Sequence, residues 1–292
     1  MKHLLALILS TALPSIASAQ DVTYSGGVTI GWGDQDMSRA SDINGRLDFD
    51  LGNGLSFGAD VGYVKLGFDN TPVGIKADFI GVRGAYKLQN GLSFGTFAEK
   101  LTTGMSLVPV DLSLTTYGLT VGYESEGLEI GTFIGQTGAS PDILFGTNAK
   151  NYGLTVKYTA VPKLDVGATF VRAKIDNASI DFAGVAAAYD FNDTFTLFGG
   201  ISNGSVDMLD LNVTTFGLGV GYKLPEFAGV NSTVSIELAR TKLRNAGDLD
   251  TIRLGLSIPL GTKASKVPHN SVADAILNPR HGAFNAILTS AF

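Results

Sequence analysis

The chain has 292 residues, with 21 Lys+Arg against 27 Asp+Glu, a formal charge of −6, 37 glycines and no cysteine. Without cysteine, a disulfide framework and a thiolate zinc site are excluded. Scattered bases in an acidic chain make a poor nucleic-acid binder, because phosphate contacts need clustered Lys and Arg. A hydrophobic share of 45 % rules out a disordered chain.

Residues 1–19 read as a secretory signal: Lys2 and His3 as the basic start, a short apolar stretch from Leu4, and Ala17-Ser18-Ala19 as the cleavage site. The apolar stretch is too short for a membrane anchor, and Pro14 interrupts it. The protein is therefore expected to be exported, with Gln20 as its mature start.

Residues 20–261 repeat one pattern. Segments 80–88 (IGVRGAYKL), 117–125 (YGLTVGYES), 152–160 (YGLTVKYTA), 183–191 (AGVAAAYDF) and 216–224 (FGLGVGYKL) carry an apolar residue at every second position and close on a tyrosine. Segment 43–51 has Phe49 in that place. This is the period of a strand with two unlike faces. Turn residues follow at once, as in Gly52-Asn53-Gly54, Gln89-Asn90-Gly91 and Glu126-Gly127. Fourteen strands are expected, with twelve to sixteen as the bounds. Gly33–Asp42, Thr102–Asp111 and Gly138–Ala149 are expected as longer loops on one rim, opposite short turns on the other.

On the tyrosine parity lie Val28, Ile30, Trp32, Phe57, Val61, Tyr63, Leu218 and Leu254. The other parity carries Arg46, Asp48, Asp60, Arg83, Glu99, Glu129, Lys157 and Arg253 among many small residues. A soluble sandwich would bury the first row. A membrane barrel turns it toward lipid and the second toward a lumen. Phe49, Tyr86, Tyr123, Tyr158, Tyr189 and Tyr222 all lie beside the short turns, as an interfacial girdle requires. An all-β, up-and-down transmembrane barrel is the expected fold, with those eight charged residues lining the pore. The interval Tyr117–Tyr123 is short for a lipid-spanning row.

Three features together resemble the Gram-negative outer-membrane porins, especially small alphaproteobacterial ones. They are the start DVTYSGGVTIGWG, the segment LDFDLGNGLSFGADVGY and the recurring N-G-L-S-F-G hairpins. The resemblance implies a water-filled channel for passive diffusion of small hydrophilic solutes and ions. It also implies contact with outer-membrane lipid and a monomer or homotrimer. A closed structural or adhesive barrel is the alternative. The large members of that family fold a long acidic third loop into the bore. Thr102–Asp111 instead carries one acid and is apolar through Met105, Leu107, Val108 and Val110.

No catalytic, cofactor or metal site is expected. His3 leaves with the signal, and His269 and His281 are expected off the barrel, which excludes a Ser-His-Asp set there. Asp48 and Asp50 could form a carboxylate pair but read as solvated lumen charges. The Gly31/Gly33 and Gly217/Gly219 pairs lack the strand-to-helix context of a nucleotide cradle. They read as wall positions left narrow to give width for water. Residues 262–292 break the hairpin rhythm at Pro268 and Pro279. Ser271 can cap a helix over 272–277, and residues 284–292 alternate weakly like one more strand. A tail outside the barrel is expected, with a periplasmic helix, a lumen plug and a last strand left open.

Overall fold

The computed structural model describes residues 22–291 apart from 36–37, 70, 72, 107, 142–147, 162, 228, 245–246 and 262–264. The expected signal peptide and the terminal Phe292 lie outside the described residues. Fourteen strands form one closed antiparallel barrel. In order they are β1 (Thr23–Gln35), β2 (Ser38–Asp50), β3 (Leu55–Phe68), β4 (Gly74–Lys87), β5 (Leu92–Met105), β6 (Val108–Ser125) and β7 (Leu128–Ser140). The second half is β8 (Ala149–Val161), β9 (Leu164–Ile175), β10 (Ala178–Asp190), β11 (Phe195–Val206), β12 (Leu211–Lys223), β13 (Thr233–Leu243) and β14 (Gly247–Gly261). Each strand pairs with its sequence neighbours, and β1 closes on β14 from Ser25↔Gly261 to Gln35↔Thr251. Closure leaves no sheet edge exposed.

The near rim carries the even-to-odd turns, and their chemistry fixes the register. Glu126 (φ 47°) and Gly127 (φ 83°) make a two-residue turn with both central residues left-handed, which matches the twist of the flanking strands. The Asn192 side-chain oxygen accepts from the amides of Thr194 and Phe195, both at 2.8 Å. The far rim departs from expectation. Most of Gly33–Asp42 and Thr102–Asp111 is strand, because β1, β2, β5 and β6 run on past the expected boundaries. Of the three expected loops only 141–148 is long, and the third far-rim connection shrinks to 106–107. Among the described residues no folded third loop enters the bore.

Side-chain direction follows the expected parity, but polarity inverts halfway along the strands. In the near half the outward row is apolar and exposed, as at Phe57, Val82, Leu119, Leu218 and Leu254. There the girdle residues Phe49, Tyr86, Tyr123, Tyr158, Tyr189 and Tyr222 all stand on the outward row, Tyr86 opposite Leu55 and Tyr222 opposite Phe195. A second outward set follows at Trp32, Tyr63, Tyr117, Tyr152 and Phe216. The two sets are six residues apart on β6, β8 and β12, or about 15 Å along the barrel axis at porin-like strand tilt. Beyond the second set the outward row turns polar, at Lys65, Lys76, Lys100, Lys150, Lys174 and Lys242, all exposed.

The inward row changes in the opposite sense. Leu66, Phe79, Leu101, Leu114, Val171, Ile175, Phe182 and Val213 are buried inside the far half. Polar inward residues persist beside them, at Gln35, Ser38, Asp42, Thr116, Asn151, Thr241 and Thr251, all buried. The far interior is therefore mixed, with an apolar part that resembles the inside-apolar, outside-polar pattern of a water-soluble barrel.

In lipid vesicles, a spin label at Leu218 should meet dissolved oxygen preferentially. A label at Lys242, on the same face but above the aromatic set, should meet a water-soluble nickel chelate instead. Equal oxygen preference at both sites would contradict a band ending at Phe216.

Candidate functional site

The site is the lumen, and residues 265–291 occupy it. The expected tail outside the barrel is corrected: the segment returns inward and packs on the wall. Two short helices form there, α1 (Val272–Leu277) and α2 (Ala283–Ala291). Ser271 caps α1 as anticipated, its hydroxyl accepting from the Asp274 amide at 3.0 Å. The weak alternation expected over 284–292 does not make a strand over the described residues 284–291. Ala283, Ala286, Ile287, Ser290 and Ala291 recur at helical spacing, and all are buried.

The segment starts at the near rim, where Lys266 pairs with Asp165 (3.2 Å) and Asp190 (3.5 Å). Its helices then lean on β9–β12. Val272, Ile276, Ala283, Ala286 and Ile287 join Val171, Phe182, Phe198 and Val213 in one apolar cluster. Burying a side chain the size of Ile276 contributes about 1.5–3 kcal/mol. The small wall residues are the sockets for this packing. A Cβ at Gly184 would lie 2.7 Å from Ile276 Cγ1, one at Gly217 2.7 Å from Val272 Cγ2, and one at Gly204 2.6 Å from Ile287 Cγ1. The width expected to hold water is filled by tail side chains at these positions.

Polar contacts fix the other side. Arg46 faces its register partner Asp60 at 2.7 Å and reaches Asp274 of α1 at 3.2 Å. Arg83 bonds both Asp60 and Asp48, so four of the expected pore-lining charges form one network. Glu99 accepts from the His281 amide and meets its Nδ1 at 2.6 Å. The His281 ring stacks on Phe97 at 3.8 Å and meets the edge of Phe133 at 4.7 Å. Arg253 pairs with its register partner Glu237 at 3.1 Å and donates to the Asn270 and Ser290 carbonyls. The free carboxylate oxygen of Glu237 accepts from the Val272 amide. Glu129 and Lys157 face each other in register near the near-rim mouth, and among the described residues neither bonds the tail. Asp50 accepts from the Gly52 amide and serves the turn.

Sequence reasoning missed Asp42, which holds Asn270, and the tail residues Asp274, Arg280 and His281. Parity puts Glu237, which holds Val272, on the polar row, but it was not among the expected pore-lining residues. The two histidines expected off the barrel lie inside it. His269 Nδ1 is 3.5 Å from Asp274. No serine hydroxyl bonds either ring among the described residues. The Ser271 hydroxyl donates to the Pro268 carbonyl instead.

Burial works against ionisation of Asp274, yet Arg46 and His269 hold its carboxyl well below the usual carboxylate range. Burial pushes the Arg280 guanidinium down to about 10, against the opposing pull of Asp60 and Glu99. It therefore stays charged at neutral pH.

No protein-family model and no curated protein matches the chain. Solved structures do. An anion-selective porin from Comamonas acidovorans aligns over 82 % of this chain and 99 % of its own, at 11 % identity and a TM-score of 0.51. The KdgM porin in complex with disordered oligogalacturonate aligns over 80 % and 98 %, at 9 % identity and a TM-score of 0.44. A mutant Rh. blastica porin aligns over 82 % and 100 %, at 11 % identity and a TM-score of 0.44.

Replacing Asp274 by Ala should loosen the tail by about 1–3 kcal/mol, since Arg46 keeps only Asp60 and His269 loses its partner. Amide exchange across 265–291 should accelerate accordingly, and unchanged exchange would contradict the contact. A carboxyl held low when docked stabilises docking fully above its free value and loses that contribution as pH falls through the depressed one. Through Asp274, the tail should stay ordered from pH 8 to about 5 and loosen only well below about pH 4. Release near pH 6 would contradict this.

The closed antiparallel meander, its outward apolar band and the Comamonas alignment together give this chain the barrel fold of the outer-membrane porins.

Proposed function

We propose that the chain is a porin-type outer-membrane barrel for passive diffusion of small hydrophilic solutes and ions, held shut by its own C-terminal segment. It is exported through the signal over residues 1–19 and carries no enzymatic centre. Outer-membrane lipid contacts the near-half band between the two aromatic sets.

One observation carries this reading. The near half of the bore keeps a charged wall that is still wet, with the Arg83 and Asp48 side chains 36 % and 42 % exposed. A permanently solid interior gains more from apolar filling than from buried ion pairs. Arg46, Asp60, Arg83 and Asp48 are suited to an interior that water enters. Acids and bases alternate along this wall, which favours weak selectivity over the strong selectivity of a single-sign ring.

The alternative, a closed structural barrel, is favoured by the apolar cluster that runs without a break from the β9–β12 wall into the tail. Planar-bilayer recording separates the two. The full chain should be mostly closed, and a chain ending at Gly261, shown to refold as a barrel, should give steady conductance steps. Silence from both would favour the structural barrel. Equal steady conductance from both would mean that the tail does not close the bore.

A further inference from the structure

A cavity of about 100 Å³ lies opposite the helix-bearing wall, between the tail and the β2–β5 side of the bore. Most of its exposed lining is apolar, with Val64, Leu66, Ile75 and Leu101 from the barrel and Leu288 from α2, while Asn44, Thr103, His269, Asn270, Asn285 and Thr289 also border it. One cation borders it. The Arg280 guanidinium lies 3.4 Å from the centre of the Phe79 ring and also lines the cavity. Among the described residues it makes no hydrogen bond and no ion pair.

The nearby acids are committed elsewhere. Both Asp60 oxygens are taken by Arg46 and Arg83, and both Glu99 oxygens by His281. A buried guanidinium with a ring contact but no hydrogen bond or ion pair is costly beside a dry hollow, and aliphatic walls gain nothing from water. A molecule with an anionic head and a short apolar body satisfies both surfaces at once. The volume sets its length. An apolar cavity of about 150 Å³ accepts benzene, so about 100 Å³ suits a body of three or four carbons.

We propose that this cavity is a binding site for a short-chain aliphatic carboxylate, with its head on Arg280 and its chain among Val64, Leu66, Ile75, Leu101 and Leu288. The site rests on the docked tail, because the tail supplies the cation and one wall. It does not depend on whether the barrel conducts.

The test is calorimetric titration of the full chain with butyrate, butyramide and acetate, with exchange across 265–291 followed in the same sample. Butyrate should bind in the millimolar range. Butyramide lacks the charge and acetate lacks the chain, so each should bind at least about tenfold more weakly. Arg280→Met keeps an apolar contact with Phe79, and Leu288→Phe fills the hollow. Each should weaken butyrate at least about tenfold, with the tail still protected from exchange. Three results would overturn the site: no butyrate binding at about 50 mM, equal binding of butyramide, or unchanged binding by Arg280→Met. An unprotected tail in the wild-type chain would overturn it as well, and that result alone would also remove the closed-bore reading.

Discussion

Alternate side chains of a strand point to opposite faces, so a closed barrel must choose its inner and outer rows together. In this chain the choice is made twice. Near the short turns, oil faces out and charge faces in, as at Leu238 beside Glu237 and at Val82 beside Arg83. Past Trp32, Tyr63, Tyr117, Tyr152 and Phe216, lysine faces out and leucine, valine and phenylalanine face in. The strands are longer than the apolar band needs, and the excess forms a crown with a protein-like interior.

An apolar interior has to be filled, and the C-terminal segment fills it. The two helices are short, of six and nine residues, and helices of that length are marginal alone. Their stability comes from the wall. Glycines at 184, 204 and 217 let Ile276, Ile287 and Val272 approach the strand backbone. Arg46, Glu99 and Arg253 then hold Asp274, His281 and the Asn270 and Ser290 carbonyls. The two kinds of contact divide the labour. Apolar packing on β9–β12 supplies attraction without direction, while the charged contacts set the level at which the segment stops.

Much of the barrel was legible because its signals are local. Period-two alternation, the Asn-Gly and Glu-Gly turns and the girdle tyrosines each need only a few residues to be read, and they yielded the strand number and the face assignment. The far rim was misread for a physical reason. Polar residues such as Arg39 and Asp111 resemble loop, because the expected outward row was oily along its whole length. Once the outward row is allowed to turn polar, the same residues continue the strand.

The lumen was less legible, because its partners are far apart in sequence. Arg46, Glu99 and Arg253 were picked out as lumen charges from parity alone, but Asp274 and His281 lie more than 180 residues away from two of them. A glycine that leaves room for water and a glycine that receives an isoleucine look alike in a sequence. The helical spacing of Ala283, Ala286, Ile287 and Ser290 was present, and it was masked by the competing two-residue alternation of Phe284, Ala286 and Leu288.

The claim beneath all of this is that residues 265–291 sit within the bore of the folded protein. The chain has no native cysteine, so one engineered pair can report on it. A Cβ at Gly184 would lie 2.7 Å from Ile276 Cγ1, which places Gly184→Cys and Ile276→Cys within disulfide reach. Mild oxidation of the doubly substituted barrel in membranes should yield one cross-linked peptide joining positions 184 and 276. Two free thiols, both modified by a water-soluble maleimide in the folded barrel, would contradict the account.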